Sequence, residues 1–341
     1  MYMSTYAKRI IKFLLRVIIT TTLLVWVFSQ INFQLFWQAA KNIQWQLLIA
    51  IWSLTIVNFL IQSLTLQIIL KKQGCKVGII TIFGSSAITS LYSFILPGLL
   101  STGIKWYIIK KDTGKGSNVL SSMIFNQLSL LVIMTTLGLI ALMITNPTSV
   151  LFETKGNYSP LFIGCLILFA GMITAFWLML NSRTGNRITN VLVFLLRPFP
   201  AKIQQKGREM IGQISVFRSA GIRFYLTVAL LQVTNGLILG VFIYSLAAKA
   251  ADIAVPVGVL LWICAIVYIL RRLPISVASL GVREVTLVGF LGIYGVEKST
   301  ALLMSMILFS SSIIMALIGA IYHIFWVVKA KGLMKRENDY E

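Results

Sequence analysis

The chain has 341 residues, 58% of them hydrophobic and 11% charged, and a formal net charge of +21 from 30 Lys and Arg against 9 Asp and Glu. A charged fraction about half the usual one, in a chain too short to hide so much apolar surface in one core, excludes an ordinary water-soluble domain. The basic residues lie between apolar runs rather than in one patch, which speaks for cytoplasmic loops and anionic lipid and against nucleic acid.

In chain order, Lys8, Arg9, Lys12 and Arg16 precede the first apolar run, Val17 to Phe33. No small-x-small cleavage site follows Phe28, so this run is expected to stay as a first helix rather than leave as a signal peptide. Further runs follow at Trp45 to Leu70, Val77 to Leu100, Val119 to Ile144, Leu161 to Leu180, Phe224 to Ala247, Val255 to Leu270 and Ala301 to Val328. A weaker one, Pro274 to Tyr294, is broken by glycines and charge. Most of these runs approach the roughly 20 residues a membrane helix needs, and the short alternating segments of a β-barrel do not appear. The expected fold is all-α, a polytopic membrane helix bundle forming one integral domain over residues 1–341.

The placement of Lys and Arg predicts orientation. The start of the chain, Lys71 and Lys72 with Lys76, the segment from Arg183 to Arg223, and the tail from Lys329 to Arg336 are basic and belong in the cytoplasm. The surroundings of Lys41, of Glu153 with Lys155, and of Lys249 with Asp252 are nearly neutral and belong outside. The run Val77 to Leu100 is basic on both flanks, with Lys76 before it and Lys105, Lys110, Lys111 and Lys115 after it. A simple crossing would strand one flank, so a re-entrant hairpin over residues 77–105, broken at Pro97 and Gly98, is expected. With Pro274 to Tyr294 taken as a discontinuous crossing, the sum is about eight crossings plus one re-entrant element, and both termini are cytoplasmic.

Between residues 183 and 223, Ile203, Met210, Ile211, Ile214 and Phe217 share one helical face, the pattern of a basic interfacial helix. Trp106 and Tyr107 beside Lys105 read as headgroup-level anchors. The scattered Cys75, Cys165 and Cys264 read as packing residues.

Catalysis finds little support. No two acids stand at a spacing that suggests a metal or acid/base pair within the membrane. The single histidine, His323, reads as an interfacial filler. The expectation is a protein that is not an enzyme and that needs neither metal nor cofactor.

Two broken segments resemble each other. Leu96-Pro97 is followed by Gly103, Ile104 and Lys105, and Leu273-Pro274 by Gly281, Val282 and Arg283. Proline and glycine stop a helix inside the bilayer, and a restarted half-helix offers free N–H groups and the positive end of its dipole. A cation at that end makes an anion site suited to phosphate. Paired interruptions in the two halves of a chain also point to an inverted repeat with a central substrate site. The expected helix-breaking positions are Pro97, Gly98, Gly103, Pro274 and Gly281. Arg283 and Glu284 add weight, because ionisable residues at membrane depth are costly to insert. Glu284 can pair with Arg283, with Arg271 or Arg272, or with a cationic headgroup, and coincidence of common membrane-helix residues is the competing reading of the two segments.

The stretch RRLPISVASLGVREVTLVGFLGIYGV from Arg271 to Val296, the ALIGAIY of the last run, and SFILPGLLSTGIKWY from Ser93 to Tyr107 resemble the two signatures of the lysylphosphatidylglycerol synthase transmembrane-region family, the flippase-like membrane proteins. The resemblance covers essentially the whole chain. The resemblance implies that some members are fused to a domain that aminoacylates phosphatidylglycerol, and the expectation for this sequence is the membrane region without that domain. Relatives commonly carry Gly-Gly-Asp and then Arg after the first Leu-Pro-Gly, whereas Ser101, Thr102, Gly103, Ile104 and Lys105 contain no acid.

Together these readings predict a lipid translocase or lipid-binding transporter of a bacterial or archaeal cytoplasmic membrane. Its partner would be an anionic phospholipid or a polyprenyl-phosphate carrier, held by Lys105, Arg271, Arg272 and Arg283 with Glu284 as counter-charge. The competing expectation is an accessory subunit or membrane enzyme of envelope glycolipid or phospholipid synthesis. Self-association, or a partner in envelope synthesis, fits either.

Overall fold

The computed structural model describes residues 43–147 except 95 and 97, 163–171, 216–272 except 218, and 281–338, with isolated positions elsewhere. Of the expected elements, the first run, most of Leu161 to Leu180, the interfacial segment up to residue 215, Pro97 and Pro274 lie outside the described residues.

Among the described residues, four long apolar helices form the frame: α1 (Trp45–Lys72), α4 (Gly116–Thr145), α5 (Ile222–Ala250) and α8 (Lys298–Asn338). Each is long enough to cross a membrane. Between α1 and α4 lie α2 (Ile79–Ser93) and α3 (Gly98–Thr113); between α5 and α8 lie α6 (Val257–Leu270) and α7 (Val282–Ile293). The bundle is all-helical among the described residues, as the apolar runs require.

The short helices form two hairpins. α2 and α3 pack on each other, with Ile82 and Ile109 in one buried cluster. Both feet of this hairpin stand at the end of the bundle where α1 finishes and α4 starts. There Lys115 Nζ donates to the Gly74 carbonyl at 3.2 Å and Asn118 Nδ2 to Gln73 Oε1 at 3.3 Å. α6 and α7 likewise fold back on each other, with Trp262 edge-on to Phe290 at 5.2 Å. This second hairpin stands on the opposite end, where Gly258 near the start of α6 lies against Thr145 at the end of α4. Among the described residues, residues 45–145 and 222–338 therefore repeat one order, long helix, hairpin, long helix, and the two hairpins enter from opposite ends.

In the second half, Val255 to Leu270 and Pro274 to Tyr294 supply α6 and α7, 14 and 12 residues long, which fold back on each other as the two arms of a hairpin. The first hairpin differs in length from its expected form. Its return arm runs to Thr113, so Lys105 lies within the arm, half-buried, rather than on a flanking loop.

Close approach of backbones holds the frame. α2 runs along α8, where Gly319 meets the Ala87 carbonyl so tightly that a Cβ would sit 2.1 Å from it. Uncharged polar side chains pin other pairs inside the apolar layer. Asn58 Nδ2 donates to the Asn235 carbonyl at 3.0 Å, joining α1 to α5, and Gln232 Nε2 donates to Asn126 Oδ1 at 3.0 Å, joining α5 to α4. Just beyond Asn235, α5 widens into a π turn over Ile238–Ile243. Phe217, expected on an interfacial face, is buried and stacks on Phe125 of α4 at 4.3 Å.

Candidate functional site

The second hairpin restarts at Gly281, whose φ of +83° belongs to the left-handed region that favours glycine. Three residues on, Glu284 reaches back, and its Oε2 accepts the Gly281 N–H at 2.7 Å. A carboxylate there satisfies an orphan donor and meets the positive end of the α7 dipole. Its other oxygen accepts Arg283 Nη2 at 2.5 Å and the Ser305 hydroxyl of α8 at 3.1 Å. Arg283 Nε in turn donates to Ser305 Oγ at 2.8 Å. Arg283 and Glu284 are 5% and 0% exposed, so this is a buried ion pair with both carboxylate oxygens engaged.

One helical turn along α8, Phe309 links the hairpins. The Arg283 guanidinium lies over its ring at 5.2 Å, and Phe94, just past the end of α2, packs against the same ring at 5.5 Å. The two hairpin tips thus meet around Phe309. Arg271 and Arg272 close α6 beside them and are exposed although they stand at the far end of the hairpin from its feet. Arg272 donates to Gln127 Oε1 of α4 at 2.8 Å and to the Tyr268 hydroxyl, and lies over the Tyr268 ring at 4.6 Å. The charges of Arg283, Arg272 and Glu284 all reach Arg271, and that of Arg272 reaches Lys105 of the first hairpin.

The structure therefore brings Lys105, Arg271, Arg272, Arg283 and Glu284 into one electrostatic cluster. Glu284 takes the Arg283 alternative among the pairings the sequence left open. Gly98 opens α3 and Gly281 caps α7, as helix-breaking residues do. Gly103 does not break anything: it lies inside α3, exposed, with open space where a Cβ would go. Trp106 is not a free headgroup anchor either; its Nε1 donates to the Gly116 carbonyl at 2.8 Å while Lys110 lies over its ring.

Sequence reasoning missed Ser305, Phe309, Phe94 and Gln127. A serine and a phenylalanine four apart share a helix face, but nothing in the sequence says which hairpin that face meets. His323 packs edge-on to Tyr92 at 5.6 Å, joining α8 to α2. They border a separate cleft of about 320 Å³ that Gly103, Ile104 and Tyr107 also line. Its lining carries no Lys, Arg, Asp or Glu among the described residues, so the cluster, not the cleft, is where charge chemistry is concentrated.

The family model for the lysylphosphatidylglycerol synthase TM region matches residues 13–320. The chain belongs to that family. No curated protein and no solved structure matches it. As a lysylphosphatidylglycerol synthase TM region protein it is a multi-pass membrane protein tied to lipid metabolism or transport.

Proposed function

We propose that this protein binds the phosphate-bearing headgroup of a membrane lipid between the two hairpin tips and passes it between leaflets, with no catalytic step of its own. The observation that carries the reading is the buried Arg283–Glu284 pair that fixes the start of α7, at the place where the two hairpins meet around Phe309. Cations at a restarted half-helix suit an anion, and interrupted helices in repeated halves are the usual setting of a transporter's substrate site. The opposed hairpins supply what such a site needs, one element reaching the gap from each face of the membrane. Lysines on the end shared by α1, α3 and α4 support a cytoplasmic membrane with that end inside.

In this reading Lys105 and Arg272 contact the phosphate and Arg283 and Glu284 act as positioning residues. Reconstitution into liposomes tests it: the purified protein alone should move a fluorescent phospholipid with a phosphate headgroup between leaflets, and Lys105→Gln should slow that movement. A protein that moves lipid only when a synthesis partner is added belongs to the accessory reading instead.

A further inference from the structure

We infer that the cleft between α2, α3 and α8 seats one hydrocarbon chain of a membrane lipid, drawn from the leaflet in which the first hairpin stands. This site is separate from the charged cluster and does not depend on the headgroup reading.

The cleft has a volume of about 320 Å³. Ile88 of α2 and Ile104 and Ile108 of α3 form its walls, with the rings of Tyr92, Tyr107 and His323 around them. The polar atoms of Tyr92 and His323 turn toward each other, hydroxyl to Nε2 at 3.5 Å, and the two rings pack edge-on. A charged guest would meet no Lys, Arg, Asp or Glu among the described lining residues and would forfeit its hydration. An apolar chain gives up no hydration and gains contact with branched side chains and ring faces. The volume stands at the lower end of the roughly 300–1,000 Å³ usual for ligand pockets, so it suits one chain rather than a whole two-chain lipid. Gly103 supplies the room: a Cβ there would meet nothing within 4 Å. Glycine weakens a helix interior, and here it keeps open the space a side chain would fill.

Position names the source of the chain. The lining stretch of α3 lies five to ten residues from its foot at Thr113, roughly 8–15 Å of helix. That is the depth of one leaflet in a hydrocarbon layer of about 30 Å. At the border of the cleft Tyr107 is exposed, and beside His323 so are Ile321, Ile324 and Phe325, within the stretch of α8 that is long and apolar enough to span the membrane. Lipid chains are the medium that such a surface meets.

The test uses the full chain in nanodiscs holding a trace of phosphatidylglycerol with a diazirine on one acyl chain, or of a diazirine-bearing polyprenyl phosphate, followed by irradiation and peptide mapping. At least one probe should mark α3 between Gly103 and Ile108, and α8 beside His323, more heavily than Leu226 and Leu230. These two are exposed positions of α5 near the same end of the bundle. The probe that marks the cleft identifies the chain as acyl or polyprenyl. Gly103→Leu grows a branched side chain into the open space and should bring cleft labelling down to the Leu226 and Leu230 level, whereas Gly103→Ala should keep it. Ile104→Trp narrows the cleft from the adjacent position and decides the matter if Gly103→Leu does not fold. Lys105→Gln should leave cleft labelling intact, so failure of headgroup binding and failure of the chain site read separately. Cleft labelling no heavier than at Leu226 and Leu230 with either probe, or unchanged labelling in a folded, filled variant, overturns the inference.

Discussion

Replacing Glu284 with Ala strips the buried Arg283 guanidinium of its carboxylate and leaves the Gly281 N–H without its acceptor. Removing one partner of a buried pair costs ~3–5 kcal/mol, because the remaining charge is neither hydrated nor compensated. Here both side chains are almost wholly shielded, and the same carboxylate ties α7 to α8 through Ser305, so the upper part of that range is expected. The double replacement Arg283→Met with Glu284→Gln removes both charges and should cost less than Glu284→Ala alone. Thermal unfolding in detergent can be followed with a thiol-reactive fluorogenic dye, since Cys75, Cys165 and Cys264 are all buried in the folded protein. Between α1 and α2, burial pushes the Cys75 thiol up against the opposing pull of Lys115, which keeps it unreactive until the fold opens. A Glu284→Ala protein as stable as the original, or single effects at the two positions that add within ~0.5 kcal/mol, would refute the ion pair as the fastening of α7.

Gly319→Ala forces a Cβ into the Ala87 backbone and should destabilise by ~1–3 kcal/mol in the same assay. Gly103→Ala meets open space in a helix interior and should be neutral or stabilising by up to ~1 kcal/mol; marked loss of stability would restore the helix-break role the structure denies it. Single cysteines at Lys72 and Lys111 should label from one side of the membrane and cysteines at Lys249 and Lys298 from the other, with Lys111 labelling opposite Lys72 as the outcome that removes the first hairpin. Given charged transfer RNA, the purified chain should form no aminoacylated phosphatidylglycerol, and product would make it an enzyme.

The helical membrane fold was legible because apolar content and run length answer directly to bilayer thickness. The first hairpin was legible from charge, since Lys76 and Lys110 demand the same side. The second was not. Its feet near Lys249 and Lys298 carry little charge bias, so charge alone did not join Val255 to Leu270 and Pro274 to Tyr294 as the arms of one hairpin. The repeated Leu-Pro and glycine pattern paired Lys105 with Arg283, but could not show that Glu284 and Ser305 hold Arg283, and Gly103 lost its assigned role because a glycine reads alike whether it breaks a helix or sits inside one. The partners contributed by α8 and α4, Ser305, Phe309 and Gln127, depend on tertiary packing that no local pattern encodes.

The most direct test of a shared headgroup site is a double-mutant cycle on Lys105 and Arg272, read by binding of an anionic phospholipid to correctly inserted protein. Arg272 is the partner of choice because the Arg283 guanidinium is held by Glu284 and Ser305. Each of Lys105→Gln and Arg272→Gln should weaken binding by ~1.5–3 kcal/mol, and their effects should couple by more than ~0.5 kcal/mol because one phosphate serves both. Additive losses would mean two separate surface contacts with lipid, and the central site between the hairpin tips would have to be given up.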